Sequence, residues 1–359
     1  MEERYNKMGH LCPTEKHPTM GGHFPMNKRR IFCILLTIIT TLTLLTGCGG
    51  KASPHTREGF YFDTYIRITV HDADDAEGAL EKAFSHCAYW DGLWGRDTSG
   101  SDVWRINHAA GTSVEVEEET ARLIEKGLYY SQLSGGVFDI TCGAVTSLWD
   151  FSSDNPAVPD EKALAAAVKT IDYTSVRLEG NTVTVPEGTM LDLGGIAKGY
   201  IADLLADELR GAGVRSAVID LGGNIFAMGS KAGGDFSIAV QSPYPDEDYL
   251  DVLSVSDRSV VTAGSYERCF ERDGVLYHHI LDTQTGMPAE TGIQSVTVVS
   301  QSSCEGDALA TICFLLGADD ALALIESTPG AEMIMALDDG SAVFSSGYGA
   351  YSQMNSQPV

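Results

Sequence analysis

Five short stretches hold side chains whose types and spacing can do chemistry. Asp307-Ala308-Leu309-Ala310-Thr311 places a carboxylate and a hydroxyl four residues apart, on one face if the segment is helical. Such a sparse hard-oxygen pair suits Mg²⁺ completed by water, a carbonyl and a phosphate; a capping Asp beside a surface Thr is the plainer reading. Asp192-Leu193-Gly194-Gly195-Ile196-Ala197-Lys198-Gly199-Tyr200 reads as a strand end, a two-glycine turn and a helix start with Lys198 in its first turn. The unpaired N–H groups there can receive a phosphate, although the GxxxxGK[ST] spacing is absent. Asp220-Leu221-Gly222-Gly223-Asn224 repeats the D-L-G-G run, through duplication or coincidence. Thr262 to Arg268 leads into His278-His279-Ile280-Leu281-Asp282 and Thr285-Gly286. A histidine pair in a strand points to opposite faces, so at most one faces a given site, as general base or as a structural group bonded to backbone. Gly135-Gly136-Val137-Phe138-Asp139 lets a ligand approach bare backbone; taken alone, it reads as a helix C-cap followed by a core Phe.

The elements that must position these residues alternate along the chain. Residues 59–70 carry the β-branched and aromatic content of a strand, and 76–94 and 117–133 show helical periodicity. A short helix is expected over 160–169 and a hairpin over 175–186, around Gly180-Asn181. A helix from about 196 to 211 precedes a strand at 215–221 and several more up to residue 300. Helices near 305 and over 318–327, then strands near 332–336 and 342–346, complete the pattern. No linker rich in Pro, Gly or Ser interrupts 58–350, which favours one α+β unit.

Ahead of that unit lies an address. Lys28-Arg29-Arg30 is followed by a fifteen-residue apolar run, Ile31 to Leu45, too short for a comfortable membrane span. It ends in Leu45-Thr46-Gly47-Cys48, a bacterial lipobox pattern, so Cys48 is expected to be the acylated mature N-terminus. The polar segment before Met26 is too long for a signal n-region, and translation is expected to begin at Met26. The boundaries are therefore 1–47 for extension and signal, 48–57 for a polar tether, and 58–352 for the catalytic unit. The whole chain has a net charge of −26, and residues 48 onward hold 18 Lys+Arg against 47 Asp+Glu. That balance excludes nucleic acid as a partner, because phosphate backbones need a clustered cationic surface. A single acyl chain binds membranes only marginally, so several are implied, placing the protein on the extracytoplasmic face of the cell membrane. Cys87, Cys142, Cys269, Cys304 and Cys313 show no CxxC spacing and indicate neither a disulfide framework nor a zinc site; Cys87 and Cys313 read as packed thiols.

Taken in order, GGVFD, DLGGIAKGY, DLGGN, HHILD with TG, and DALAT resemble the ApbE-type FAD:protein FMN transferases over roughly residues 58–350. The resemblance implies an α+β fold with FAD held between two halves of one unit. It implies Mg²⁺-dependent transfer of FMN from FAD to a Thr or Ser hydroxyl of membrane-associated flavoproteins in ion-pumping or electron-transfer complexes, with release of AMP. Asp192, Lys198 and Val137-Phe138-Asp139 match FAD-contacting positions, and Phe62 stands where other members have Met. Gly195, through its carbonyl, and Asp307 and Thr311, through their side chains, match metal-binding positions. His279 matches the histidine beside the FAD phosphates and is the candidate base. The family often has an aromatic near Asp97 that favours transfer over FAD hydrolysis, and Trp94 is the substitute at hand here. A FAD pyrophosphatase and a flavin-binding lipoprotein without chemistry are the alternatives; the combined Asp307, Thr311, Lys198 and His279 set weighs against the second.

Overall fold

The computed structural model describes residues 53–149, 151 and 156–354. The expected signal segment and Cys48 lie outside the described residues.

The chain enters through β1 (His55–Tyr61) and β2 (Thr64–Asp72), followed by α1 (Ala76–Trp94), α2 (Asp102–Asn107), β3 (Val114–Glu115) and α3 (Glu118–Leu133). Then come α4 (Gly143–Trp149), α5 (Glu161–Val168), β4 (Arg177–Glu179), β5 (Thr182–Thr184) and α6 (Ala197–Gly211). Strands β6 (Ser216–Leu221), β7 (Asn224–Met228), β8 (Phe236–Gln241), β9 (Tyr249–Val255), β10 (Arg258–Gly264), β11 (Cys269–Arg272), β12 (Val275–His278) and β13 (Ile293–Ser300) follow. The chain closes with α7 (Ser303–Leu316), α8 (Ala318–Glu326), β14 (Glu332–Leu337) and β15 (Ala342–Phe344).

One antiparallel sheet organises these elements, in the order β1-β2-β6-β7-β10-β13-β14-β15. Helices α1, α6, α7 and α8 cover one face. On the other face the β8–β9 ribbon packs Phe236, Ile238, Val240, Leu253 and Val255 against Val260, Val299 and Ile334 of the sheet. The sequence FSIAVQ of β8 alternates buried and exposed, as a strand with one wet face must. β13 lies between both layers and is buried almost throughout. Residues from 52 onward form one compact unit, in accord with the mixed helix-and-sheet expectation.

Three expectations need correction. The stretch 59–70 is a hairpin, not one strand: the chain reverses at Phe62 and Asp63, with φ of 56° and 55°. Two-residue hairpin turns favour Asn-Gly, so Phe-Asp gave no local signal; Asp91 of α1 holds the turn by accepting from Phe62 N at 2.6 Å. Pairing also starts at His55, so residues 55–57 of the expected tether belong to the sheet. The third concerns the histidines: the β11–β12 ladder ends at the Cys269–His278 pair, so only His278 is in a strand and His279 lies in the bend beyond it.

The helix expected from about 196 to 211 is α6, and the 175–186 hairpin is β4–β5 with Gly180 at φ 59°. Cys87 and Cys313 are fully buried, and burial pushes both thiols up to about 12. The two D-L-G-G runs fold differently. The first leads into α6, whereas Gly222-Gly223 make the tight turn between β6 and β7. They share only a local device, the Asp side chain accepting from the amide two or three residues on, at 2.9 Å for Asp192–Gly194 and 3.0 Å for Asp220–Gly223.

Candidate active site

The crossing of α6 and α7 is the centre of the site. Gly199 in the first turn of α6 lies so close to α7 that a Cβ there would stand 2.2 Å from Ser303 O and 2.7 Å from Asp307 Cβ. That approach brings Gly199 N within 2.8 Å of Asp307 Oδ2. Asp307 is 5% exposed, and burial raises its carboxyl pKa against the opposing pull of Lys198, Gly199 N and the Asn224 side chain. Thr311 follows one turn along the same face of α7, its hydroxyl donating weakly to Asp307 O at 3.4 Å. The start of α7 is clamped by Asp203 of α6, which accepts from Ser303 N at 2.7 Å, Cys304 N at 3.0 Å and Ser302 Oγ at 2.6 Å.

Around this crossing stand the loop after β10 and the bend after β12. The field of Lys198 reaches Asp307, Glu267 and His279, so one cation, two carboxylates and an imidazole share a neighbourhood. Burial raises the Glu267 carboxyl, with Asp307 adding to the rise and Lys198 opposing it. His279 is pushed down to about 3, first by burial and then by Lys198, Arg268 and His278. Its imidazole is therefore neutral at physiological pH, and its Nδ1 is buried without a hydrogen-bond partner. His278 faces the core instead, edge-on to Phe314, its Nε2 donating to Ala289 O at 3.2 Å. Arg268 ties the loop to the first hairpin by donating to Asp63 O at 3.2 Å, which brings the Phe62 turn to the same end of the sheet.

A second group of contacts surrounds the turn before α6. Asp192 Oδ2 accepts from Thr146 Oγ1 at 2.6 Å and from Arg96 Nη1 at 2.9 Å. Phe138 packs over Gly195, where a Cβ would meet its Cε2 at 2.9 Å, so this glycine keeps its backbone bare of a side chain. Val137 is half-buried, and Thr283 Oγ1 bonds the carbonyls of Gly136 at 3.0 Å and Val137 at 3.4 Å, joining this loop to the 282–286 turn. Asp139 differs from the others. Its Oδ1 accepts from Thr141 N and Oγ1 and its Oδ2 from Tyr173 N at 3.0 Å, so its carboxylate is used in bracing the loop.

The structure thus gathers Lys198, Asp307, Thr311 and His279 at one end, joins Phe62 to it through Arg268, and sets Asp192, Gly195 and Phe138 at the turn entering α6. Sequence reasoning gave no role to Arg96 and Thr146, whose pairing with Asp192 spans 96 and 46 residues and leaves no local trace. It also gives no role to Glu267, which lies within the Thr262 to Arg268 run. Trp94 does not stand in for an aromatic at the site: it is buried on Trp90 and Tyr200 and donates to Thr120 at 2.9 Å. Among the described residues no cluster of three His, Cys, Asp or Glu side chains could hold a metal.

Known proteins resemble this chain over most of its length. A FAD:protein FMN transferase of Treponema pallidum is 36% identical over 334 residues, covering 86% of this chain and 92% of the relative. One from Klebsiella pneumoniae is 33% identical over 286 residues, covering 78% of this chain and 88% of its own. Among solved structures, the ApbE protein of Thermotoga maritima superposes with a TM-score of 0.78 at 30% identity, over 84% of this chain and all of that one. The apo flavinyl transferase ApbE of Pseudomonas stutzeri gives 0.74 at 26%, over 83% and 96%. A model of the ApbE family matches residues 62–335, which takes in both groups of site residues, and the chain belongs to that family.

Proposed function

We propose that this chain is a Mg²⁺-dependent FAD:protein FMN transferase, which moves FMN from FAD onto a Thr or Ser hydroxyl of an acceptor flavoprotein and releases AMP. The observation that carries the reading is the α6–α7 crossing, where a buried carboxylate, a lysine and a neutral histidine share one neighbourhood. Burial makes the Asp307 charge costly, and a cation beside it would offset that cost. The Asp307 carboxylate and the Thr311 hydroxyl lie on one helix face, and with the Gly195 carbonyl that the family resemblance adds they are the donor types of a hard ion that keeps places for water and phosphate. When bound, Mg²⁺ would stabilise charge on the diphosphate as its P–O bond breaks. Lys198 supplies a second positive charge for the same oxygens. His279, neutral and with an open ring nitrogen, takes the proton of the acceptor hydroxyl as its oxygen bonds to the FMN phosphorus; AMP leaves with the bridging oxygen. Phe62, Val137, Phe138, Asp192 and Lys198 would hold the flavin nucleotide, with Asp139 acting through the loop it braces.

The anchoring reading joins this one. Cys48 would carry acyl chains and hold the enzyme on the extracytoplasmic face of the cell membrane, within reach of membrane-associated acceptors. Among the described residues no helix is long and apolar enough to cross a membrane.

A second reading has one observation in its favour. Arg96, with Trp94 committed to the core, is the large side chain next to Asp97, and it pairs with Asp192. The resemblance associates a missing aromatic there with FAD hydrolysis to FMN and AMP. Incubation with FAD, Mg²⁺ and a candidate acceptor separates the two. Flavin fluorescence on the acceptor band of a denaturing gel supports transfer, free FMN with an unlabelled acceptor supports hydrolysis, and unconsumed FAD rejects both.

A further inference from the structure

Asn224 opens β7 directly after the Gly222-Gly223 turn and is 2% exposed. Its side chain ends a buried relay that starts on β10. Ser259 Oγ donates to Ser303 Oγ at 2.9 Å, and Ser303 Oγ donates to Asn224 Oδ1 at 2.6 Å. A hydroxyl has one proton, so a Ser303 oxygen that accepts from Ser259 must spend its own proton on the amide oxygen. With Ser303, at 2.9 Å, the nearer acceptor for Ser259 than Ile225 O at 3.4 Å, the relay makes the amide oxygen the acceptor and leaves the NH₂ end pointing elsewhere. That end is buried and meets no acceptor at full hydrogen-bond distance. Leaving a buried donor unmet is costly, and a working site recovers that cost by presenting an acceptor. Ser303, which holds the amide oxygen, and Asp307 stand one turn apart on the same face of α7, so Asp307 is the carboxylate beside the free end of the amide.

We propose that Asn224 is a positioning residue, whose relay-fixed amide N–H holds the Asp307 carboxylate in the orientation that receives a hard divalent cation. The proposal rests on the metal role given to Asp307 above. Gly199 N engages one carboxylate oxygen from the α6 side and Asn224 would steady the group from the sheet side, leaving an oxygen for the ion. Groups that orient a ligand in this way typically change metal affinity about 10–100-fold when removed.

The test measures Mg²⁺ in two ways on the full chain purified in detergent: calorimetric binding of Mg²⁺ in the presence of FAD, and the Mg²⁺ dependence of turnover. Asn224→Ala is expected to weaken Mg²⁺ binding about tenfold or more, with turnover recovering to within about threefold of the parent at high Mg²⁺. FAD binding measured without metal should change by less than about twofold, since the amide acts through Asp307. Ser303→Ala, which frees the amide to rotate while keeping it, should give a smaller shift in the same direction and covers the case in which Asn224→Ala does not fold. A merely structural role would lower the melting temperature and leave the Mg²⁺ requirement of the folded protein unchanged, which overturns the proposal. If Asp307→Ala loses its Mg²⁺ response while both other variants keep the parental one, the inference falls and the metal reading stands. If the parent shows no Mg²⁺ response in either measurement, both fall.

Discussion

At the scale of single residues, burial shifts the proton affinities of the groups that the proposed chemistry would use. His279 titrates at about 3, so at pH 6 only about one molecule in a thousand carries the proton. kcat/KM should therefore show no acid limb from this residue between about pH 5 and 8. A base of such low proton affinity works at the bottom of the usual range, so His279→Ala should slow transfer about 10²-fold or less across that range while FAD still binds; parental rates in the variant would remove His279 as base. The same depressed pKa has a stability consequence. Below its unfolded value of 6.5 the unfolded chain takes a proton that the folded chain refuses, so stability is lost as pH falls from there toward 3. Between pH 7 and 5 the parent should lose about 2 kcal/mol more than His279→Ala, as read by urea unfolding at the two pH values. Asp307→Ala should abolish turnover at ordinary Mg²⁺ whether the acceptor is a hydroxyl or water; activity surviving both this change and EDTA would end the metal reading.

At the scale of elements, the site depends on two helices meeting at short range. Gly199→Ala places a methyl against Ser303 O, a backbone atom that cannot swing away, and should cost about 1–3 kcal/mol through separation of α6 and α7. Turnover should fall with it, because the same displacement carries Gly199 N off Asp307. Loss of stability with full activity would show that the crossing tolerates more play than this. Asp203→Ala removes the acceptor for Ser303 N, Cys304 N and Ser302 Oγ at the start of α7, and should destabilise by about 2 kcal/mol in thermal or urea unfolding. It should reach activity only indirectly, since Asp307 sits one turn further in.

At the scale of the whole molecule, one eight-stranded antiparallel sheet holds strands from residues 55–72 and 216–344 in register. The β1–β2 hairpin sits at one edge and β15 at the other, while the site gathers where the turns after β1, β6, β10 and β12 meet the start of α6. An enzyme so acidic would be repelled from an anionic lipid surface, and the covalent anchor expected at Cys48 would overcome that repulsion. Cys48→Ser should move the protein from the membrane fraction to the soluble one without changing its activity on FAD. Mass spectrometry of the purified N-terminal peptide checks the same point, and an intact, unlipidated leader in cells would refute it.

What the sequence determined by itself was whatever short-range physics carries. Helical periodicity located α1, α3 and α6, β-branched runs located the strands, and Gly180-Asn181 marked the β4–β5 turn. The i,i+4 spacing of Asp307 and Thr311 put both on one helix face before any tertiary contact was known. Motif order was enough to name the family, because glycines at close approaches leave a sequence trace: Gly195 under Phe138 and Gly199 under Ser303 admit no side chain. Only the tertiary structure decided where charges would be dehydrated and which groups would pair across long loops. The Phe62-Asp63 turn is held by Asp91 from another element, Asp139 is drawn into loop bracing, and Trp94 is taken by the core. The low pKa of His279 comes from a burial and a lysine that lie 81 residues apart in the chain. Such effects depend on distance through space and on the exclusion of water, and neither is encoded in the spacing of residues along the chain.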